Sequence, residues 1–294
     1  MTARLLTGLA TGAAYSLVAV GVVLIFRCTR TLSLAHGEIG AFGFFVGLRW
    51  AAEGMPGLGW HPPRFATLLI AVVVAAALSG LAERLVMRRL VGRAPLDALV
   101  ATLGVALFLA LAERELFGTA TQFAPSPIGE GRIVIAGATL SAVRLTALGA
   151  AAVVAVAAGL FFTRTRFGLA VRATTGDPTV ARLMGVPVRR VYAFAWIAAG
   201  ALAGLAAALL APAFGGLTPF AMTRFALRAL AGAVIGGLDS IGGAIAGSLL
   251  VGLVESLVGG GTGVAGSAEA AVLVLVVGML LLRPQGLFGT VGAR

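Results

Sequence analysis

Few side chains in this sequence could carry chemistry, and the clearest of them are His36 and Glu38. Both interrupt an apolar run over 33–48, where an ionisable group is costly to bury and therefore suggests a function. Residues two apart point to different faces of a helix, so we expect no site built by these two side chains alone. Three roles stay open for them: hydrogen bonds that keep neighbouring helices in register, contact with a solute, or gating.

The rest of the sequence offers little to an enzyme. It contains no lysine, which excludes a phosphate-binding P-loop and a Schiff-base mechanism. Cys28 is the single cysteine, and His61 is the only histidine besides His36. Neither an intrachain disulfide nor a cysteine or histidine metal motif is therefore expected. We expect no catalytic residues, no metal and no cofactor in this chain.

The composition indicates a protein that spans a membrane. Of its 294 residues 60% are hydrophobic and only 11% are charged, whereas a soluble domain carries about 25% charged residues. The arginines lie between apolar runs, so nucleic acid is not an expected partner. We expect a single domain over 1–294, an all-α polytopic bundle of about eight or nine transmembrane helices. The apolar runs that predict them cover 5–26, 33–48, 65–82, 98–112, 145–162, 191–211, 225–238, 241–258 and 268–282.

The least regular part of the sequence is the stretch from Pro212 to Ser240. Proline and glycine interrupt it at 212–219, and the apolar runs on either side of Asp239 are each short for a span. We expect a broken or re-entrant segment there, because such backbone is tolerated where protein or a water-filled cavity surrounds it. The segment could be a simple turn, or its backbone groups could meet a solute. The candidate pathway residues in it are Gly215, Gly216, Gly236, Gly237, Asp239 and Ser240.

The distribution of arginine predicts the orientation. The connections at 27–32, 83–97 and 163–190 carry an excess of arginine, which is typical of cytoplasmic loops. This places the N-terminus outside and the C-terminus in the cytoplasm. The longest external connection then covers 113–144, with a short hairpin around 133–135.

Two patterns predict contacts inside the bundle. Glu255 could pair with Arg228, because a charge within a span needs a partner. Small residues four apart let two helix backbones approach closely. They occur at Gly8/Gly12, Gly200/Gly204, Gly232/Gly236 and Gly243/Gly247.

The connection at 163–190 contains the sharpest local signal. Asp177 is a good N-cap residue, Pro178 suits the first helical position, and Gly185 suits the position after the last. They bracket a helix over 178–184 whose apolar residues, on one face, are Val180, Leu183 and Met184. A helix this short is unstable in water by itself. Its apolar face must therefore be covered, either by this protein's own membrane-facing surface or by a groove in a partner.

Several motifs occur in a particular order along nearly the whole chain. They are GAAYSL at 12–17, LAHGE at 34–38, RFG at 166–168 with Arg172-Ala173 after it, Ala181-x-x-x-Gly185-Val186, GGLDSIGGA at 236–244 and RPQGLFG at 283–289. In these motifs the chain resembles the permeases of branched-chain amino acid ABC importers, of the LivH type. It departs from them at Ser33-Leu34, where the family commonly has Asn-Phe, and at Asp239, where the family commonly has a second glycine.

The resemblance implies a multi-subunit importer in the bacterial inner membrane. ATP would be bound by two separate ATP-binding cassette subunits, and a periplasmic binding protein would deliver the solute. A second permease subunit, LivM-like or another copy of this chain, would complete the assembly. The loop 163–190 would couple to the ATPases. The coupling residues that the resemblance implies are Arg166, Gly168, Arg172, Asp177, Pro178, Val180, Ala181, Leu183, Met184 and Gly185.

The function expected on these grounds is translocation of branched-chain or related amino acids, energised by the separate ATPases. Two alternatives stay open. One is an ABC permease for urea, amides or another small solute, since few fixed charges line the spans. The other is a secondary transporter driven by an ion gradient, with Glu38 or Glu255 as its proton site.

Overall fold

The structure is a computed structural model that describes residues 2–57, 59–123, 131–135, 138–262 and 266–289. Its helices are α1 (Thr2–Thr29), α2 (His36–Glu53), α3 (Arg64–Ala82), α4 (Arg88–Leu90), α5 (Pro95–Phe117), α6 (Ala142–Arg164), α7 (Arg166–Gly176), α8 (Pro178–Leu183), α9 (Val188–Ala213), α10 (Ala221–Gly236), α11 (Ile241–Thr262) and α12 (Ser267–Leu282). One π-helical turn, Glu83–Met87, joins α3 to α4. The strands β1 (Arg132–Ile135) and β2 (Ala138–Ser141) form a hairpin.

The predicted all-α membrane bundle is confirmed. Among the described residues, six helical segments are long and apolar enough to cross a membrane: α1, α3 with its continuation into α4, α5, α6, α9 and α11. Three further helices of the bundle are shorter, since α2 has 18 residues and α10 and α12 have 16 each. The total of eight or nine crossings stays a prediction.

α1 lies at the centre of the bundle. It packs against α11, α9, α10 and α6, and every residue from Gly12 to Ile25 is buried. A helix that is apolar on all sides is typical of such a central position.

The predicted small-residue contacts are confirmed. A Cβ atom at Gly12 would lie 2.7 Å from Leu249 Cα of α11, and one at Gly232 would lie 2.6 Å from Ser248 Cα. Gly200 and Gly204 pack in the same way against the α3 backbone. At these positions only glycine lets the helices approach to this distance.

The connection between α1 and α2 returns into the bundle. His36, the first residue of α2, lies against Gly21 of α1, where a Cβ atom would collide with its ring. Gly21 precedes the last residue of α1, Thr29, by eight positions, which corresponds to about 12 Å of helix rise. The segment 30–35 therefore runs back along α1, and α2 begins inside the bundle rather than at its edge.

The irregular stretch from Pro212 to Ser240 consists of two turns around a short helix. The chain turns at 214–220 after α9, forms α10, and turns again at 237–240. Gly215, Gly216 and Gly237 have φ angles of 77°, 119° and 105°, which glycine adopts without strain. The 16 residues of α10 rise about 24 Å, less than the roughly 30 Å of a bilayer core.

The connection between α5 and α6 is shorter than the predicted 113–144. α5 continues to Phe117, because Glu and Arg are good helix formers and because Glu113 is buried in the bundle rather than solvated. Gly118 ends the helix at a φ angle of 83°. The predicted hairpin is confirmed, with Ile133 opposite Leu140. Residues 124–130 and 136–137 of this connection lie outside the described residues.

The close contact of α1 with α11 leads to a first prediction. Gly12→Ala should lower the thermal unfolding temperature of the purified chain in detergent by several degrees, since overpacking costs about 1–3 kcal/mol. The matched control is Gly149→Ala in α6, where a Cβ atom would meet no described atom within 4 Å. Equal unfolding temperatures for the two variants would contradict the packing argument.

Candidate functional site

The short helix α8 has the caps that the sequence predicts. Asp177 accepts hydrogen bonds from the backbone N–H groups of Thr179 at 2.7 Å and Val180 at 3.1 Å. Gly185 follows with a φ angle of 81°. The helix ends at Leu183, one residue earlier than predicted, because Met184 serves as its C-cap.

The apolar face of α8 points away from the described part of the chain. Leu183 is 83% exposed, Met184 is 79% exposed, and Val180 is exposed as well. Ala181, on the opposite side, is buried against neighbouring residues that include Val171 and Val188. The described residues of this chain therefore do not cover the apolar face of α8. This leaves a groove in a partner as the other way of covering it.

The preceding helix, α7, was not expected from the sequence, and it fixes where α8 begins. Thr165 Oγ1 caps it by accepting from Gly168 N–H at 2.9 Å. A Cβ atom at Gly168 would collide with the Phe161 carbonyl of α6, so glycine is required where α6 and α7 meet. Arg166 and Arg172 are both exposed on α7. The residues from Arg166 to Gly185 thus form one continuous unit on the same side of the bundle.

Beside α8 lies a crevice lined by arginine. This cavity, of about 430 Å³, includes Arg30, Arg88, Arg93 and Arg182 among its lining residues. Its acidic member, Glu83, is buried and pairs with Arg88 at 2.8 Å. The surface around α8 is therefore strongly basic.

A second group of polar side chains lies within the bundle, around Glu38. Glu38 is buried, and its Oε1 accepts a hydrogen bond from the Thr223 hydroxyl of α10. The carboxyl group of Glu113 in α5 lies within hydrogen-bonding reach of Glu38. His36 lies instead against Gly21 of α1. The two residues of the motif thus face different helices, as their spacing predicts.

Sequence reasoning missed Glu113, which belongs to this group although it is fully buried. Next to Arg114 and Glu115 it resembles a residue of a solvated loop. No pattern in the sequence singles it out, because α5 is apolar on nearly every side before Glu113. The structure shows which side of the helix is buried, and that side consists of Ala98, Thr102, Ala106, Leu109, Ala110 and Glu113.

The remaining pathway candidates lie at the two turns that flank α10 and are not brought together with Glu38. Gly216 packs against Thr121 and Gln122, next to Gly215, and the adjacent residue Leu217 forms a two-residue bridge with Gln122. At the other turn, Asp239 pairs with Arg30 at 2.9 Å. Their role in a pathway stays a prediction.

The turn at 237–240 also holds the end of the described chain. Gly236 packs against Gly243, Gly237 packs against Gln285 and Gly289, and the Ser240 hydroxyl accepts from Gly243 N–H. The N–H groups of Leu287 and Phe288 donate to the carbonyls of Ile235 and Gly236, at 2.8 and 3.0 Å. The C-terminal segment thereby satisfies the last carbonyls of α10.

The predicted pair of Arg228 and Glu255 is confirmed as part of a larger cluster. Arg228 lies 3.2 Å from Glu255 and 2.7 Å from Glu269 of α12. The Tyr15 hydroxyl of α1 donates to Glu255 at 2.8 Å. The cluster therefore joins α1, α10, α11 and α12 through opposite charges.

A double-mutant cycle measures what this cluster contributes. Arg228→Gln, Glu255→Gln and the double variant should show a coupling energy of about 1 kcal/mol or more in thermal unfolding, since the pair is largely desolvated. The control pair, Arg49 and Glu53, lies four residues apart on an exposed helix face at 2.8 Å and should couple by about 0.5 kcal/mol or less. Equal coupling in the two cycles would refute a structural role for the cluster.

Comparison with known proteins matches this architecture to a family. The family model described as "Branched-chain amino acid transport system / permease component" matches residues 4–283. The chain is 29% identical to the permease protein BraD of the high-affinity branched-chain amino acid transport system of Pseudomonas aeruginosa, over 97% of this chain and 95% of BraD. It is 28% identical to the permease LivH of the corresponding Escherichia coli system, over 97% of this chain and 94% of LivH.

Among solved structures, PsaBC from Streptococcus pneumoniae in complex with a Fab matches with a TM-score of 0.50. The match covers 94% of this chain and 89% of the PsaBC chain, at 14% sequence identity, and so concerns the fold alone. The family model covers almost all of the chain and identifies a transport protein rather than an enzyme. The chain belongs to the family of permease components of branched-chain amino acid transport systems.

Proposed function

We propose that this chain is the translocating subunit of an ATP-driven importer that brings branched-chain or related amino acids across the bacterial inner membrane. Its multi-pass architecture and family support a role as a permease. A branched-chain amino acid has a zwitterionic head and an apolar side chain, and a bundle with apolar walls and few buried charges suits such a solute. His36 and Glu38 are the pathway candidates that lie inside the bundle.

The observation that carries the proposal is the exposed apolar face of α8. Leu183 and Met184 are almost fully exposed on a helix that is held rigid by Asp177 and Gly185. A helix of six residues with such a face fits a groove in another protein. Because the chain has no lysine and therefore no P-loop, the protein that supplies ATP hydrolysis must be a separate one. We assign α8 as the helix that docks on an ATP-binding cassette subunit.

The surroundings of α8 support this assignment. The arginine-lined crevice next to it would favour an acidic rim on the partner's groove. Arg30 and Arg182 both line that crevice, so the end of α1 and α8 lie on the same side of the bundle. The turn with Asp239 and the C-terminal segment lie there too, through the Arg30–Asp239 pair and the contacts of Gly237.

This common side would be the cytoplasmic one, since it carries most of the arginine. The N-terminus would then be outside and the C-terminus in the cytoplasm. The complete importer would contain two ATPase subunits, a second permease subunit and a periplasmic binding protein. The second permease would be a LivM-like chain or another copy of this one.

Replacing Leu183 tests the coupling role. Leu183→Asp should reduce ATP-dependent uptake at least tenfold in the reconstituted importer, because a charge is costly in an apolar groove. The matched control is Leu183→Met, which keeps an apolar side chain of similar volume at the same position, and it should transport normally. Normal uptake by Leu183→Asp, measured in an assembled complex, would remove the assignment of α8.

The source of energy provides a separate test. Leucine uptake by the complete importer in proteoliposomes should require ATP inside and should persist when a protonophore is added, because hydrolysis drives the cycle. The control is the importer with an ATPase subunit that cannot hydrolyse ATP. Uptake by this chain alone, abolished by the protonophore and indifferent to ATP, would favour transport driven by an ion gradient instead.

A further inference from the structure

A cavity of about 220 Å³ lies between α1, α2, α5 and α10. Its walls are mainly apolar and include Leu103, Leu107, Leu227 and Leu230. Its volume is below the roughly 300–1,000 Å³ of sites for drug-sized ligands, so it suits a small solute. Three polar side chains face it, those of Ser33, Glu38 and Thr223.

Glu38 lines this cavity, and the pair that it forms with Glu113 behind it has free hydrogen-bonding capacity. Glu38 Oε2 and both oxygens of Glu113 have no hydrogen-bond partner among the described residues. The two carboxyl groups lie within hydrogen-bonding reach of each other, and both are buried. Two adjacent buried carboxylates cannot both stay ionised without compensation. Such a pair holds either a shared proton or a cation.

Ser33 provides an independent observation. Its side chain is more than nine-tenths buried, and its Oγ has no partner within the described part of the chain. A buried hydroxyl without a partner is costly, unless a ligand supplies one. Because Ser33 lines the same cavity as Glu38, the two unsatisfied groups would serve the same ligand.

The N-terminus of α10 reaches the cavity from another side. Phe220, its N-cap residue, has a left-handed backbone and forms no side-chain cap, and both Phe220 and Thr223 line the cavity. Ala221 N–H donates to the Thr218 carbonyl at 3.0 Å, whereas the N–H groups of the next residues lack partners within the helix, and the helix dipole favours a negative charge near them. The cavity therefore combines a group that attracts a cation with a helix end that attracts an anion.

We propose that this cavity binds the zwitterionic head of an α-amino acid. The ammonium group would lie at the carboxyl group of Glu38, and the neighbouring carboxyl group of Glu113 would add to its negative charge. The carboxylate would lie at the N-terminus of α10 and accept a hydrogen bond from Ser33. The aliphatic side chain would pack against the leucines of the walls. This inference rests on the proposed function and specifies the part of the solute that the permease recognises.

The proposal also indicates what the open side of the cavity faces. Leu107 and Leu227 are both exposed at its rim, on α5 and α10. Buried ionisable groups in membrane proteins almost always face the interior of a bundle or a water-filled cavity. We therefore place this rim at the aqueous pathway of the assembled importer rather than at the lipid.

A cysteine at the rim tests the site. In the nucleotide-free importer, Leu107→Cys should react with a small, water-soluble thiol reagent, and leucine should slow that reaction. The single native cysteine, Cys28, is buried, so the wild-type chain should react little. The matched control is Leu111→Cys, which is exposed one helical turn further along α5 and does not line the cavity; leucine should leave its reaction unchanged.

The chemistry of the ligand is tested with two leucine analogues. Isocaproate, which lacks the ammonium group, should protect Leu107→Cys at least tenfold more weakly than leucine, and isoamylamine, which lacks the carboxylate, should also protect more weakly. Adding Glu38→Gln should raise the leucine concentration for half-protection about tenfold or more, since the negative charge that strengthens the hydrogen bond to the ammonium group is lost. Retained ATPase stimulation by the binding protein would show that this variant is assembled.

Several outcomes would overturn the inference. One is a Leu107→Cys importer that takes up leucine although leucine does not slow the reaction of its cysteine with the thiol reagent. This result would contradict the site and leave the proposed function intact. If Leu107→Cys does not react with the thiol reagent, the rim of the cavity does not face water, and this result would also contradict the proposed site. If Glu38→Gln does not assemble, Ser33→Ala replaces it and should weaken protection severalfold; unchanged protection would count against the site. A wild-type importer that takes up neither leucine nor any other branched-chain or related amino acid would refute the proposed function itself.

Discussion

Close backbone contact between helices is the constraint on which the rest of this structure depends. Lipid offers no hydrophobic force to drive helices together, so their association depends on packing between small residues. α2 shows the principle most clearly, because Gly37 packs on Met222 of α10, Gly40 on Ala203 of α9, and Gly43 on Ala71 of α3. A helix that is fixed on three sides can begin inside the bundle, after the re-entrant segment 30–35. Glu38, near the beginning of α2, therefore lies deep enough in the bundle for side chains of both α5 and α10 to lie next to it.

Two of the groups of charged side chains that the described residues form within the bundle differ in kind. Around Arg228 the charges are of opposite sign, and each has a partner within hydrogen-bonding or ion-pair distance. Such a cluster is complete in itself, and its effect is to join four helices. Around Glu38 two groups of the same sign meet, and oxygens there lack partners among the described residues. The first group is explained by the fold, whereas the second keeps hydrogen-bonding capacity that no described residue uses.

The parts of the structure that the sequence predicts well are those governed by local chemistry. The bounds of α8 follow to within one residue from Asp177, Pro178 and Gly185, since caps act on their immediate neighbours. The pairing of Arg228 with Glu255 follows from the small number of charges within the apolar runs. The closeness of Glu113 to Glu38 depends on how far back along α1 the segment 30–35 runs before α2 begins. No local sequence pattern encodes that distance. α7 was missed because its exposed, arginine-containing sequence resembles a loop.

The hydrogen bonds from the C-terminal segment to the end of α10 have a consequence for biosynthesis. The carbonyls of Ile235 and Gly236 find their partners in Leu287 and Phe288, which follow α12 in the sequence. The corner between α10 and α11 can therefore be completed only after α11 and α12 have been synthesised. Until then the last carbonyls of α10 lack these partners, so this corner is among the later parts of the bundle to form.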